Sequence, residues 1–441
     1  MPGRTVAPRL RLLSLLGLVP LALAGCEPPA ATGDAGTTAT GDAARDAFTP
    51  PRDGAPEVDA ATPPPDDTGI VPSDAGPPPP DPCVAAGNCE PGRWVDVTPS
   101  GVSLLEGSCG NYGTTTVAVA PGHPNELFAQ FNCQGIWRST DYGQTWAGPV
   151  NTGMHGAEVG DCAGGISVPS LGAGDATTLY LSCIRGAGLG FWRSTNGGVD
   201  WTRYPITPTP DRQDYYAPAV DPYDPSHLIM AGHEMDAMVE STDGGQTWTL
   251  IPIDPGMHQS GGTPALFFID RGAAAATRST FLWLAQGSGG GIGTWRTENG
   301  GTSWTRVDSN EHGHGNSQIY QPDGDGVIYM AGVYSALGWG ILRSADYGVH
   351  WEHVGATGNQ SNVWGTSTHV YGGESWAIGG GMPIDPSLQV APQPGTTGWT
   401  PMTAPAAMFQ GPAQVAVTRD PDHAILIGAC WQAGLWRYIE P

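Results

Sequence analysis

A ten-residue phrase recurs five times in this chain, and nothing else in the sequence restricts the fold as strongly. It reads WRSTDYGQTW at 137–146, WRSTNGGVDW at 192–201, VESTDGGQTW at 239–248, WRTENGGTSW at 295–304 and LRSADYGVHW at 342–351. Successive copies start 55, 47, 56 and 47 residues apart. A period near fifty predicts a repeat architecture, in which each unit is a small supersecondary element that buries its apolar face only against its neighbours.

Each phrase sits inside a longer unit. The first runs TTVAVAP, NELFAQFN, GIWRST, a turn and TWAGPV; the third runs APAVDPYDP, HLIMAGH, AMVEST and TWTLIPI. Four short β-rich runs separated by Gly, Pro, Asn and Asp predict an antiparallel meander, with the phrase as the turn between its third and fourth strands. The residue types suit that place. Ser or Thr with Asp or Asn can accept hydrogen bonds from turn N–H groups. Gly supplies positive φ, and Trp can bury its ring beneath the turn.

The phrase resembles the Asp-box, or BNR, repeat of sialidases, xyloglucanases, sortilin-type receptors and photosystem II assembly factors, all of which carry β-propellers. The resemblance implies an all-β chain and a structural role for Asp141, Asn196, Asp243, Asn299 and Asp346. The two Asn depart from the pattern but keep an acceptor oxygen, so the turn is expected to survive. Five units carry the phrase. A sixth, with SNVWGTSTHVY, SWAIGGG and GWTPMT as strands, has lost it. A seventh, with AQVAVTRDP, AILIGAC and GLWRYIE, lacks a fourth strand. Residues 93–99, RWVDVTP, resemble the fourth strands of other units. The expectation is a seven-bladed β-propeller over 93–441, closed by an N-terminal strand that completes the last blade and leaves no exposed edge.

Upstream of the propeller the composition changes. Arg4, Arg9 and Arg11 precede an apolar run at 12–24, too short to span a membrane, which predicts an export signal over residues 1–25. Its closing Leu23-Ala24-Gly25-Cys26 resembles the bacterial lipobox, implying lipidation at Cys26 and attachment to a membrane. Glu27 at the next position favours the outer membrane or cell surface. Residues 26–92 are crowded with Pro, Ala, Asp, Thr and Gly and hold one aromatic, Phe48; that composition predicts a disordered tether. Net charge is −24 for the chain, with −10 on residues 26–92 and −17 on 93–441, and no Lys at all. Such acidity argues against nucleic acid as a partner. A monomer is expected.

The propeller geometry places the repeated turns on one face, away from the usual ligand face, so Arg138, Arg193, Arg296 and Arg343 beside them read as braces. The opposite face is built by the 2–3 loops and the blade-to-blade 4–1 loops. Loops assigned to it carry His233, Glu234, Asp236, His258, Glu311, His312 and His314. Imidazoles with carboxylates suit ligand binding, acid–base work or a divalent metal, for which His233, His258 and His314 are the candidate ligands. No metal or other cofactor is required by any motif. Tyr215, Tyr216, Tyr334, Trp339, Trp364 and Trp431 fall in or beside the same loops and could stack on sugar rings, although Trp also fills the space between propeller sheets. Cys83 and Cys89 flank a short loop, and Cys109–Cys133 and Cys162–Cys183 are the expected staples among five in-domain cysteines, which leaves one thiol over.

Two functions fit. The first is a surface-tethered lipoprotein whose propeller binds a glycan or protein; the alternative is a glycoside hydrolase or polysaccharide lyase acting on extracellular polysaccharide. A sialidase is disfavoured, because the Arg-Ile-Pro motif of that family is absent. The first unit resembles xyloglucanase blades most closely, but those enzymes face two propellers across one cleft.

Overall fold

The computed structural model describes residues 79–104, 109, 113–167, 178–207, 212–257, 264–285, 291–309, 318–322, 325–331, 340–355, 360–374 and 386–441. They form seven antiparallel sheets arranged as a seven-bladed propeller. Blade 1 holds Thr114–Ala120, His123–Phe131 and Gly135–Ser139. Blade 2 holds Cys162–Ser167, Leu179–Gly186, Gly190–Ser194 and Thr202–Tyr204. Blade 3 holds Ala219–Asp221, Asp224–Ala231, Met238–Ser241 and Thr249–Leu250. Blade 4 holds Ala265–Phe268, Phe281–Ala285, Gly293–Thr297 and Thr305–Asp308. Blade 5 holds Ile319–Tyr320, Ile328–Ala331, Ile341–Ser344 and Glu352–His353. Blade 6 holds Asn362–Gly365, His369–Gly373, Gln389–Pro392 and Thr400–Pro401.

Blade 7 is assembled from both ends of the described chain. Pro412–Arg419, Ala424–Cys430 and Gly434–Ile439 are completed by Trp94–Asp96. The closing strand is in register as Trp94↔Tyr438, Val95↔Arg437 and Asp96↔Trp436. Trp94 is buried in the core between blades 6 and 7 with Trp364, Tyr371, Leu426 and Trp436. This is the ring closure expected from the RWVDVTP segment.

All five copies of the phrase fold into one turn. In blade 1, Ser139 Oγ accepts from Gly143 N at 2.9 Å and donates to Asp141 Oδ1 at 2.8 Å, while Asp141 Oδ1 accepts from Thr145 N at 2.9 Å. The same set recurs around Asn196, Asp243, Asn299 and Asp346. The two Asn are compensated four residues on. Asp141 and Asp243 accept from Thr145 and Thr247 hydroxyls at 2.6 Å. Asn196 instead donates to Asp200 at 2.8 Å, and Asn299 to Ser303 at 2.9 Å. A donor–acceptor pair is therefore kept although the residue types change sides.

Arginines of the third strands brace the sheets, Arg296 and Arg437 from one blade to the next and Arg138 and Arg343 within their own blades. Arg296 Nε of blade 4 donates to Tyr347 O in the turn of blade 5 at 2.6 Å, and Arg437 Nε of blade 7 donates to Tyr142 O in the turn of blade 1 at 3.0 Å. Arg138 pairs with Glu126 at 2.7 Å and Arg343 with Glu352 at 3.3 Å. Between the sheets the filler is aromatic: Trp201, Trp283, Trp364, Phe128 and Phe191 are among the largest fully buried side chains. Such rings bury large apolar areas where flat sheets diverge.

Three details differ from the sequence reading. Blade 1 has no fourth strand, only a bridge between Arg138 and Ala147; the chain then crosses to blade 2, where Gly153 N donates to Val199 O and Trp201 N to Met154 O. The third strand of blade 6 is Gln389–Pro392, whereas SWAIGGG, read as a strand, lies outside the described residues. The turn after it still seats a Trp, since Trp399 Nε1 donates to Gly395 O at 2.9 Å.

Third, residues 79–92, read as the end of the tether, are built onto the ring. Asp81 caps a short helix, Pro82–Ala85, through the N–H groups of Cys83 and Val84. Its other oxygen pairs with Arg437; both side chains are buried, at 0% and 4% exposure. Asp81 N donates to Asp420, Tyr142 Oη to Pro79 O, and Gly92 N to Ile439 O. Composition could not separate this segment from the tether, because its partners Asp420 and Arg437 lie more than three hundred residues away. The remainder of the tether and the signal, with Cys26, lie outside the described residues.

The three disulfides are Cys83–Cys89, Cys109–Cys133 and Cys162–Cys183, with Cα–Cα distances of 5.4, 5.7 and 5.5 Å. The leftover thiol is Cys430, which is buried, and burial pushes its pKa up.

Candidate functional site

On the face opposite the repeated turns, the loop entering blade 3 and the 2–3 loop of the same blade lock together. His233 N donates to Asp214 O at 2.9 Å, and His233 Nδ1 lies 3.2 Å from Asp214 Oδ2. Arg212 grips the same carboxylate through Nε at 3.0 Å and Nη2 at 2.5 Å. Its Nη2 also donates to His233 O at 3.0 Å, and its Nη1 to Glu234 O at 3.4 Å. One guanidinium thus holds a carboxylate and two successive carbonyls, a use that its planar fork of donors permits.

The clamp has two consequences. Burial raises the Asp214 pKa, but the bonds from His233 and Arg212 outweigh it and hold the carboxyl down at about 2, so Asp214 is a permanent anion at neutral pH. Glu234 is carried in a left-handed backbone conformation, φ 53°, which is uncommon for a non-glycine residue and clusters at sites of function. The Glu234 side chain is half exposed, and its Oε1 lies 3.9 Å from His233 Nε2. The Tyr216 ring meets the imidazole edge-on at 5.3 Å.

The sequence candidates divide as follows. His233 and Glu234 come together; Asp236 is half-buried in the same loop. His258, Glu311, His312, His314 and Trp339, with Tyr334, lie outside the described residues. Tyr215 and Tyr216 are buried rather than presented as a stacking platform, as are Trp364 and Trp431. Tyr215 belongs to the core between blades 2 and 3. Tyr216 instead lines a cavity of about 180 Å³ in the central channel, together with Thr116, Ser167, Pro218 and Gln414.

Asp214 and Arg212 were not singled out from sequence. The only signal for them was a charged loop, DRQDYY, ahead of a blade. Two further polar clusters also escaped notice. His227 is buried between Asp221 at 2.9 Å and Glu240 at 2.7 Å, with Arg278 of blade 4 beside Asp221 and Asp224. Burial lowers the His227 pKa, but its bonds to the two carboxylates outweigh this and raise it. Glu440 receives Thr366 at 2.8 Å, Thr368 at 2.7 Å and Tyr371 at 2.6 Å. Both clusters join strands and blades, which accounts for their burial without a ligand. Among the described residues, the Cys/Asp groups close enough to share an ion, Asp81 with Cys83 and Cys89 and Asp161 with Cys109 and Cys133, are built on disulfide sulfurs.

No family model matches the chain. The xyloglucanase Xgh74A of Acetivibrio thermocellus is 27% identical over 197 residues, covering 37% of this chain and 23% of that protein. A xyloglucanase from a Paenibacillus species is 25% identical over 324 residues, covering 63% of this chain and 30% of that protein. The chain therefore spans less than a third of either relative. Among solved structures, the GH74 xyloglucanase of Xanthomonas campestris superposes with a TM-score of 0.54 at 16% identity, over 78% of this chain and 53% of that one. That likeness shows a shared propeller fold.

Proposed function

We propose that this chain is an exported, glycoside hydrolase-like propeller that acts on an extracellular polysaccharide of the xyloglucan class, meeting it with the face that carries Arg212, Asp214, His233 and Glu234. The observation that carries this reading is the alignment with a xyloglucanase over 63% of the chain. It favours hydrolysis over the passive binding that the sequence alone put first. Exposed Glu234 and half-buried Asp236 are the carboxylates placed to meet sugar hydroxyls. Asp214, kept ionised by Arg212 and the bond from His233, suits charge stabilisation and positioning rather than proton donation, since a leaving-group acid needs a raised pKa.

A second reading, glycan binding without turnover, is supported by the small share of the relatives that the chain spans. Release of reducing ends from xyloglucan by the purified chain, reduced at least tenfold by Glu234→Gln and Asp236→Asn, is the expected result. Retained binding with no new reducing ends would leave the second reading standing and overturn the first.

The same proposal includes Asp-box identity for the repeated turns, supported by their shared hydrogen bonds, and lipid anchoring of a monomer at Cys26 on the outer membrane or cell surface. The three disulfides suit an oxidising compartment. Cys26→Ala should release the protein from the membrane fraction, and full retention would refute the anchor.

A further inference from the structure

We infer that His233 Nε2 and the Glu234 carboxylate form a divalent-cation site on this face. The inference rests on how the imidazole is held and does not depend on whether the glycan is cleaved. His233 is more than nine-tenths buried. Its Nδ1 faces an Asp214 carboxylate that is itself tied to Arg212. With Nδ1–H donated to that anion, the tautomer is fixed and the Nε2 lone pair is left on the Glu234 side. This is the arrangement in which a carboxylate orients and strengthens a metal-binding histidine.

Among the described residues Nε2 makes no hydrogen bond, and Glu234 Oε1 lies 3.9 Å from it. Two donors each about 2.1 Å from one ion at a tetrahedral angle stand roughly 3.4 Å apart, so a small rotation of the half-exposed Glu234 carboxylate completes the pair. The backbone already carries the cost of this placement. Arg212 holds the carbonyls of both His233 and Glu234, and Glu234 remains left-handed at φ 53°. A nitrogen and a carboxylate oxygen suit zinc or manganese. With two protein donors, coordination positions stay open for water or for the neighbouring hydroxyls of a sugar ring.

The test is calorimetric titration of the metal-stripped full chain with Zn²⁺, with no glycan present, and electron paramagnetic resonance of added Mn²⁺. One equivalent is expected to bind with micromolar affinity, weakened at least tenfold by Glu234→Gln and by Asp214→Asn, and abolished by His233→Ala. Glu234 is exposed, so its variant tests the site even if the buried His233 variant fails to fold. No saturable binding by the wild-type chain, or binding unchanged in Glu234→Gln, would overturn the proposal. Because the readout contains no polysaccharide, its failure and the failure of the hydrolase reading are separate results.

Discussion

Replacing Asp81 by Ala should destabilise the propeller more than removing both members of its ion pair. The carboxylate is fully buried against Arg437, and Arg437 is itself buried, with further bonds to Tyr142 O and Cys89 Sγ. Breaking such a pair from one side leaves an uncompensated charge and costs about 3–5 kcal/mol, while replacing both partners by apolar groups is often near neutral. Asp81→Ala also deletes the cap on Cys83 N and Val84 N, worth about 1 kcal/mol. Unfolding entropy is about 2.1 cal/mol/K per residue, or roughly 0.75 kcal/mol/K for a unit of this size, so the single variant should melt about 5–8 °C lower. The Asp81→Ala/Arg437→Met double variant should recover more than half of that loss. Calorimetry with urea unfolding on the three proteins decides the matter. A single variant within about 1 °C of wild type, or a double variant no better than the single, would refute the view that this contact is a buried charge pair essential to the ring.

Three further outcomes follow from named contacts. Ser241→Ala removes the hydroxyl that accepts from Gly245 N and donates to Asp243; a loss of about 1–3 kcal/mol is expected in urea unfolding, and an unchanged midpoint would contradict the bracing role. Gly245→Ala puts a Cβ into the Phe191 ring at φ +84°, whereas Gly300→Ala, at φ +63°, meets open space. The first should cost about 2–4 kcal/mol and the second about 1, and equal costs would count against the packing argument. The raised pKa of His227 makes its contribution complete below pH about 6.5 and lost as pH rises through the folded value; the lowered pKa of Asp221 works oppositely, present above pH about 4 and lost as pH falls. Unfolding free energy should therefore decline on the alkaline side of pH 6.5, and His227→Gln should flatten that slope. A slope that survives the substitution assigns it to another group.

What could be read from sequence depended on distance along the chain. The blade count and the closing strand were legible because each turn is a local device: Ser139, Asp141, Gly143 and Trp146 satisfy one another within eight residues. Blade 6 was harder because its third-strand turn had exchanged the phrase for PQPG, leaving only Trp399 as a marker. The Asp81 segment shares the tether's composition, and its contacts with Arg437, Asp420 and Ile439 are announced by no local pattern. At the candidate site, residue type pointed to His233 and Glu234. Asp214 and Arg212, which fix the imidazole and the left-handed turn, come from the preceding loop, and their significance exists only once that loop folds back. Tyr215 and Tyr216 misled for the same reason: a loop position does not reveal whether a ring turns inward.

The seam of the ring has a mechanical side. Both ends of the described propeller meet in blade 7, and the strand that closes it is three residues long. A pull arriving from upstream of residue 79 runs along the chain toward that strand. It meets the Pro79–Tyr142 bond first, then the Asp81–Arg437 pair, then the Cys83–Cys89 loop, before any force reaches Trp94. The segment works as a strain relief, passing load into the third strand of blade 7 and the turn of blade 1 so that the seam itself stays slack.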